Sequence, residues 1–324
     1  MKLGIGKRRG LLECSTARGV FAILALDQRS SLRKAMNPAD PEGVSYERLV
    51  SFKQRLIKGL APETSAVLLD PEYGAAQNIS QDNIPAQTGL IIALEETGYT
   101  GERTKRRSKI LADWSVKKAQ MIGASGIKLL VYYHPESDVA EHQRDLISEV
   151  AEACLHQDVA FFLEPINYAI DPEKPKLTPT ERRKVAIQTA DELSQLGADV
   201  LKLAFPIDCE SEPDEKIWLE ACQEVSDACQ VPWVLLSAGV DFELYIKQVI
   251  AACREGASGV MAGRAVWKEA VGLGPSAKKS FIEETAITRF RKLQSVCDGL
   301  ARPWRSFYPS QSIPDGWYVN YPAN

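Results

Sequence analysis

Two lysines interrupt apolar runs in which an ammonium has no ordinary place: Lys128 in GIKLLVYY (126–133) and Lys202 in DVLKLAFP (199–206). Burying a charged amine is costly unless it is paired, so a lysine in a core strand calls for a reason. Alternation along a strand puts Val200, Lys202 and Ala204 on one face and Leu201, Leu203 and Phe205 on the other. The small side chains share the lysine's face and leave room for a ligand beside the amine. A sheltered amine next to an acid can attack a ketone and form an imine. Glu164, closing FFLEP (161–165), supplies such an acid, and Asp27, closing VFAILALD (20–27), supplies another. Either can move a proton or hold a lysine, and the residues alone do not separate the two roles. The competing reading of Lys202 is a structural ion pair with Glu164. Lys128 reads equally as an anchor for an oxygen or as a proton carrier. Two lysines facing one interior repel, and a nearby cation with partial desolvation lowers an amine's pKa.

Those residues need a frame that aims them at one point. Eight short apolar runs recur, at 20–27, 65–70, 89–94, 126–133, 159–165, 199–206, 232–239 and 257–264. Near-continuous apolar strands suit a parallel sheet covered on its outer face. Helical patterns separate them: Tyr46–Leu60 with an apolar stripe, 110–122, 139–156, 180–196 opened by Thr178-Pro179 with Glu181 in the first turn, and Phe242–Arg254. Eight strand–helix alternations predict a single (β/α)8 TIM barrel. A doubly wound open sheet is the alternative, but no GxGxxG follows the first strand. The division expected is a barrel over 1–274, then a C-terminal helix and an aromatic, proline-rich tail over 275–324 packed on it.

In a barrel the chemistry gathers at the C-terminal strand ends. Those ends read Asp27-Gln28-Arg29, Asp70-Pro71-Glu72, Lys128, Glu164, Lys202, Ser237-Ala238-Gly239 and Gly263-Arg264, polar on seven of the eight. The last two are where barrels bind phosphate. Gly239 and Gly263 admit close backbone approach, and Arg264 offers a two-pronged cation. Tight turns with a surface arginine are the plainer reading of that pair. The basic loop 98–107 (GYTGERTKRR) reads as solvated surface charge, with Arg29 and the loop's arginines as alternative holders of a second anion.

Several function classes drop out. A net charge of −4 leaves no basic field for nucleic acid. No run approaches a membrane span, and the basic N-terminus lacks the apolar core of a signal peptide. Seven cysteines, odd in number and without CxxC spacing, predict reduced thiols in a cytoplasm. His134, His142 and His156 do not converge with acids in a ligand pattern, so no metal is expected. There is no GxSxG elbow and no Walker loop.

Taken in order, ALDQR (25–29), SAVLLDPEYG (65–74), EETG (95–98), DWSVKK (113–118), IKLLVYY (127–133), FFLEP (161–165), DVLKLAFP (199–206), LLSAGVD (235–241) and AGRAVW (262–267) resemble the tagatose-1,6-bisphosphate aldolases and the related sulfofructose-phosphate aldolases. The resemblance implies a class I aldolase of phosphorylated ketoses, with a covalent imine, no metal or other cofactor, and a homo-oligomeric state. It implies that Lys202 forms the imine, that Glu164 is the acid/base and Lys128 the second active-site lysine. It further implies that Asp27 and Gln28 form the Asp-Gln pair, and that Ser237, Gly239, Gly263 and Arg264 hold phosphate. DPEYG favours the tagatose-bisphosphate branch, whereas the stretch from PWVLLSAGVD to AGRAVWKEAVGLG is closer to the sulfosugar branch. A sugar-phosphate-binding regulator without turnover, and a decarboxylase or epimerase on the same scaffold, are the competing functions. A pure binder has no need of a nucleophilic amine beside an acid.

Overall fold

The computed structural model describes residues 3–321. Two residues of the basic N-terminus and the last three of the tail lie outside this range. Eight parallel strands close into a barrel in chain order: β1 (Phe21–Leu26), β2 (Ala66–Leu69), β3 (Gly89–Ala93), β4 (Gly126–Tyr133), β5 (Ala160–Asn167), β6 (Val200–Leu203), β7 (Trp233–Leu236) and β8 (Gly259–Ala262), with β8 pairing back onto β1. Each predicted apolar run supplies one strand. Closure leaves no sheet edge to protect, and the helices bury the outer face.

The helices Tyr46–Leu60 and Phe242–Arg254 have the predicted bounds. The helix predicted at 180–196 runs Pro179–Leu193, and its entry is a capping box: Thr178 accepts from the Glu181 amide while Glu181 accepts from that of Thr178. The helix expected at 110–122 is shorter, Val116–Met121. Ser115 caps it, and Leu111 before it donates its amide to the Leu94 carbonyl, which holds 110–111 extended along the end of β3. The polar stretch 73–88 contains a short helix, Ala75–Ile79. No helix among the described residues is long and apolar enough to cross a membrane. The seven cysteines are free thiols, all buried except half-buried Cys209.

The floor of the barrel is closed by the N-terminal helix Ile5–Glu13. Lys7 pairs with Asp199 at 2.9 Å, and a side chain at Gly10 would collide with the Ser125 carbonyl. The C-terminal helix Ile287–Leu300 packs against Phe242–Arg254 and β1. Beyond it Trp304 is buried, and Tyr308 donates its hydroxyl to the Asp199 carbonyl. Tyr321 meets the same floor, donating its hydroxyl to Asp158. The opposite rim carries the strand ends.

One strand-end acid does not face the mouth. Asp70 is fully buried outside the barrel wall against fully buried Lys53, from the helix Tyr46–Leu60. Lys53 also donates to the Leu26 carbonyl at 2.8 Å, and Asp70 accepts from the Tyr73 amide. The pair therefore fixes the ends of β1 and β2 just below Asp27-Gln28-Arg29. Removing one partner strands a buried charge, so Lys53→Met is expected to lower stability by about 3–5 kcal/mol. Adding Asp70→Asn should recover part of the loss. Urea unfolding measures both, and a loss below about 1 kcal/mol for the single variant would remove the pair from this role.

Candidate active site

Strand parity aims the two lysines inward as predicted. Lys128, Leu130 and Tyr132 from β4, Glu164 and Ile166 from β5, and Lys202 and Ala204 from and just beyond β6 line one cavity of about 770 Å³ at the strand ends. The register pairs Phe162 with Val200 and Leu163 with Leu201, so one step further Glu164 stands beside Lys202. The Lys202 amine lies 2.8 Å from Glu164 Oε2, and that same oxygen lies 2.8 Å from the Lys128 amine. Neither contact has the angles of a directed hydrogen bond, so the oxygen sits between the two amines and is committed to neither.

Lys128 is fully buried and has further partners. It donates to Asp27 Oδ2 at 2.8 Å and to Glu95 Oε1 at 2.6 Å. Glu95 Oε2 in turn accepts from the Leu130 amide at 3.0 Å, which fixes the carboxylate. The expectation of two repelling lysines of lowered pKa fails for Lys128. Burial opposes its charge, but the carboxylates of Asp27, Glu164 and Glu95 outweigh burial and hold the ammonium well above the ordinary lysine range. The mirror effect acts on Asp27. Burial would raise its carboxyl, yet the charges of Lys128 and Lys202 hold it below the usual carboxylate range.

Glu95 is the site residue that sequence reasoning missed. It follows β3, whose apolar run 89–94 showed no polar end. An acid one residue past an otherwise apolar strand was the available signal.

The predicted anion-binding residues also gather at the mouth. Ser237 Oγ accepts from the Gly263 amide at 3.2 Å and ties the end of β7 to that of β8. Ala238 (φ 46°) and Gly239 (φ 82°) are left-handed, a conformation costly for alanine and free for glycine. A side chain at Gly239 would crowd the Arg264 guanidinium, 3.3 Å from its Cζ. Arg264 lines the cavity and is exposed, with no carboxylate partner among the described residues. Gln28 lines the wall beside Gly263, and its buried Oε1 lacks a hydrogen-bond partner. Arg29 is buried, and its charge is already answered: Nη1 donates to Glu72 at 2.7 Å and Nη2 to the Glu95 carbonyl at 2.6 Å. The basic loop 98–107 is not all solvated, since Arg106 turns into the cavity. No group of three or more His, Cys, Asp or Glu side chains suited to a metal ion occurs among the described residues.

Residues 21–269 match the model of the DeoC/LacD family aldolases. The chain is 32% identical to tagatose 1,6-diphosphate aldolase 2 of Enterococcus faecalis, over 98% of this chain and 100% of that protein. It is 30% identical to tagatose 1,6-diphosphate aldolase 2 of Streptococcus pyogenes serotype M3, over 92% and 96%. Among solved structures, an archaeal fructose 1,6-bisphosphate aldolase aligns with a TM-score of 0.60 at 19% identity, over 90% of this chain and 98% of that one. The fructose-bisphosphate aldolase of Plasmodium falciparum aligns with a TM-score of 0.68 at 16% identity, over 93% and 98%. At those identities the structures share the fold.

The charge balance around Lys128 has a pH signature. A carboxyl depressed in the fold contributes stability above its unfolded pKa, of about 3.9 for Asp, and loses it as pH falls toward the folded value. Asp27→Asn should therefore be less stable than the parent at neutral pH, with a gap that narrows below about pH 4. Denaturant unfolding across pH measures this. A gap that stays constant or widens on acidification would contradict the depressed carboxyl.

Proposed function

Because the chain belongs to the DeoC/LacD family of aldolases, we propose that it is a class I aldolase. It cleaves a ketose 1,6-bisphosphate of the tagatose type to dihydroxyacetone phosphate and glyceraldehyde 3-phosphate. The observation that carries this reading is the contact between the Lys202 amine and Glu164 at the base of the cavity. An amine pointing into a cavity at the barrel mouth, touching an acid and flanked by small side chains, is built to meet a carbonyl carbon. The relatives named above are tagatose aldolases over nearly their whole length, which supports the substrate class.

In the reaction, the neutral Lys202 amine attacks the C2 ketone and forms a carbinolamine. Proton donation to its hydroxyl releases water and leaves an iminium. A base then takes the C4 hydroxyl proton, the C3–C4 bond breaks, and its electron pair moves to the iminium nitrogen to give an enamine. The aldehyde departs, C3 is protonated, and water hydrolyses the imine to release dihydroxyacetone phosphate. The iminium is itself the electron sink, so no cofactor or metal enters the scheme. Glu164 carries the protons, since it alone among the acids touches Lys202. Lys128 stays an ammonium and Asp27 a carboxylate, which makes them fixed charges that orient Glu164 and the sugar hydroxyls. The unpartnered Gln28 Oε1 accepts from a substrate hydroxyl. Ser237, Gly239, Gly263 and Arg264 hold the C1 phosphate, and Arg29 braces the wall. Phosphorylated substrates and seven free thiols both suit a cytoplasmic enzyme.

A coupled assay for dihydroxyacetone phosphate, run in chelator, tests this reading. The panel is tagatose 1,6-bisphosphate, fructose 1,6-bisphosphate, fructose 1-phosphate and sulfofructose 1-phosphate. Cleavage of the tagatose ester in chelator is expected; turnover of none of the four would overturn the activity. Activity lost in chelator and restored by zinc would overturn the imine route. Arg264→Ala should cost roughly 1.5–3 kcal/mol of substrate binding, a rise in KM of about tenfold or more. An unchanged KM would remove Arg264 from the phosphate site.

A further inference from the structure

The cations lining the cavity differ in how far their charge is answered. Lys128, Lys202 and Arg29 all face carboxylates within the protein. Arg182 spends its guanidinium on the Phe205 carbonyl, and Lys176 is an exposed rim residue. Arg264 stands uncompensated at the end of β8. Among the described residues two more guanidiniums of the cavity wall lack a carboxylate: Arg182, whose Nε and Nη2 are both taken by the Phe205 carbonyl, and Arg106, which sits across the mouth from Arg264 with only its Nε engaged.

Arg106 belongs to the loop after β3, and its flanking rings come from that loop, from β4 and from just beyond β5. In a closed eight-stranded barrel this sector faces the β7–β8 sector across the axis. Its guanidinium lies over Tyr99, Tyr132 and Tyr168, with ring centroids at 4.7, 5.4 and 4.8 Å. Aromatic faces attract a cation but leave its charge un-neutralised. Its Nε donates to the Arg103 carbonyl at 2.9 Å, and the protein supplies no partner to its two terminal nitrogens among the described residues. None of the rim acids Glu96, Asp208 and Glu210 pairs with it.

The loop is also held in place. Thr100 and Arg107 exchange both backbone hydrogen bonds at 2.9 Å. Arg103 donates to the carbonyls of Asp171, Pro172 and Lys174 at 2.8–2.9 Å, locking the loop to the segment after β5. A fork of donors is thus pre-oriented toward the cavity, and little ordering entropy remains to be lost on binding.

We infer that Arg106 is the specificity residue for a second anionic group, phosphate or sulfonate, at the end of the ketose remote from its C1 phosphate. The inference rests on the aldolase reading and adds to it which substrates are preferred. Arg264 and Arg106 then grip the two ends of a doubly anionic sugar, with Lys202 between them.

The test compares kcat/KM for the parent, Arg106→Leu and Arg106→Lys on substrates matched except at C6: tagatose 1-phosphate against tagatose 1,6-bisphosphate, and fructose 1-phosphate against sulfofructose 1-phosphate. Arg106→Leu should lose roughly ten- to a hundredfold on a doubly anionic substrate and stay within about twofold on its C6-hydroxyl counterpart. Arg106→Lys, which keeps the charge without the fork, should fall between. The C6-hydroxyl substrates serve as an internal control for folding. Whichever of phosphate and sulfonate shows the larger loss identifies the anion. Equal losses on both members of a pair would make Arg106 a structural clamp and overturn the inference. So would no loss on either doubly anionic sugar. A parent that cleaves the C6-hydroxyl and doubly anionic sugars equally would overturn it while leaving the aldolase reading intact; a parent that cleaves none would overturn both.

Discussion

The ammonium of Lys128 is gripped by carboxylates carried on or just beyond three different strands: Asp27 after β1, Glu95 after β3 and Glu164 within β5. Taking so many charges out of water is tolerable only when each is answered, and here each is. The cluster ties together strands that are not all neighbours, so it fixes where their ends stand across the mouth. It also divides two chemically identical side chains into two roles. Lys128 is locked as a cation by several acids, whereas Lys202 meets Glu164 alone and opens into the cavity beside Ala204. A lysine caged by carboxylates is a poor nucleophile because its lone pair stays protonated. A lysine with one acid has both a route to lose its proton and a space in which to react.

Much of this was legible from parity and from improbability. An amine in VLKLAF or IKLLV violates the apolar rule of a core strand, and alternation then states which way it points. The strand ends follow from the barrel pattern, and Gly239 and Gly263 announce close approach in the sequence itself. What stayed hidden depends on long-range pairing. Asp70 looked like a mouth residue because it ends a strand, but its partner is Lys53, carried on the apolar stripe of the helix Tyr46–Leu60. A lysine spaced four residues from both Leu49 and Ile57 was the sign that a buried acid lay opposite.

The same limit applies to charge and to loops. From sequence, two inward lysines imply repulsion; the three acids that reverse this for Lys128 come from positions 27, 95 and 164, and no local spacing brings them together. Arg106 is one of four basic residues in GYTGERTKRR. Nothing local distinguishes the arginine that turns inward, because two of the rings that hold it, Tyr132 and Tyr168, belong to β4 and to the segment after β5.

The division of labour between the two lysines is tested most directly by reduction in the presence of a bound ketone. The protein is incubated with dihydroxyacetone phosphate, treated with borohydride, digested and mapped by mass spectrometry. One stable adduct is expected, on Lys202, with Lys128 unmodified. An adduct on Lys128, or none on either lysine, would contradict this division.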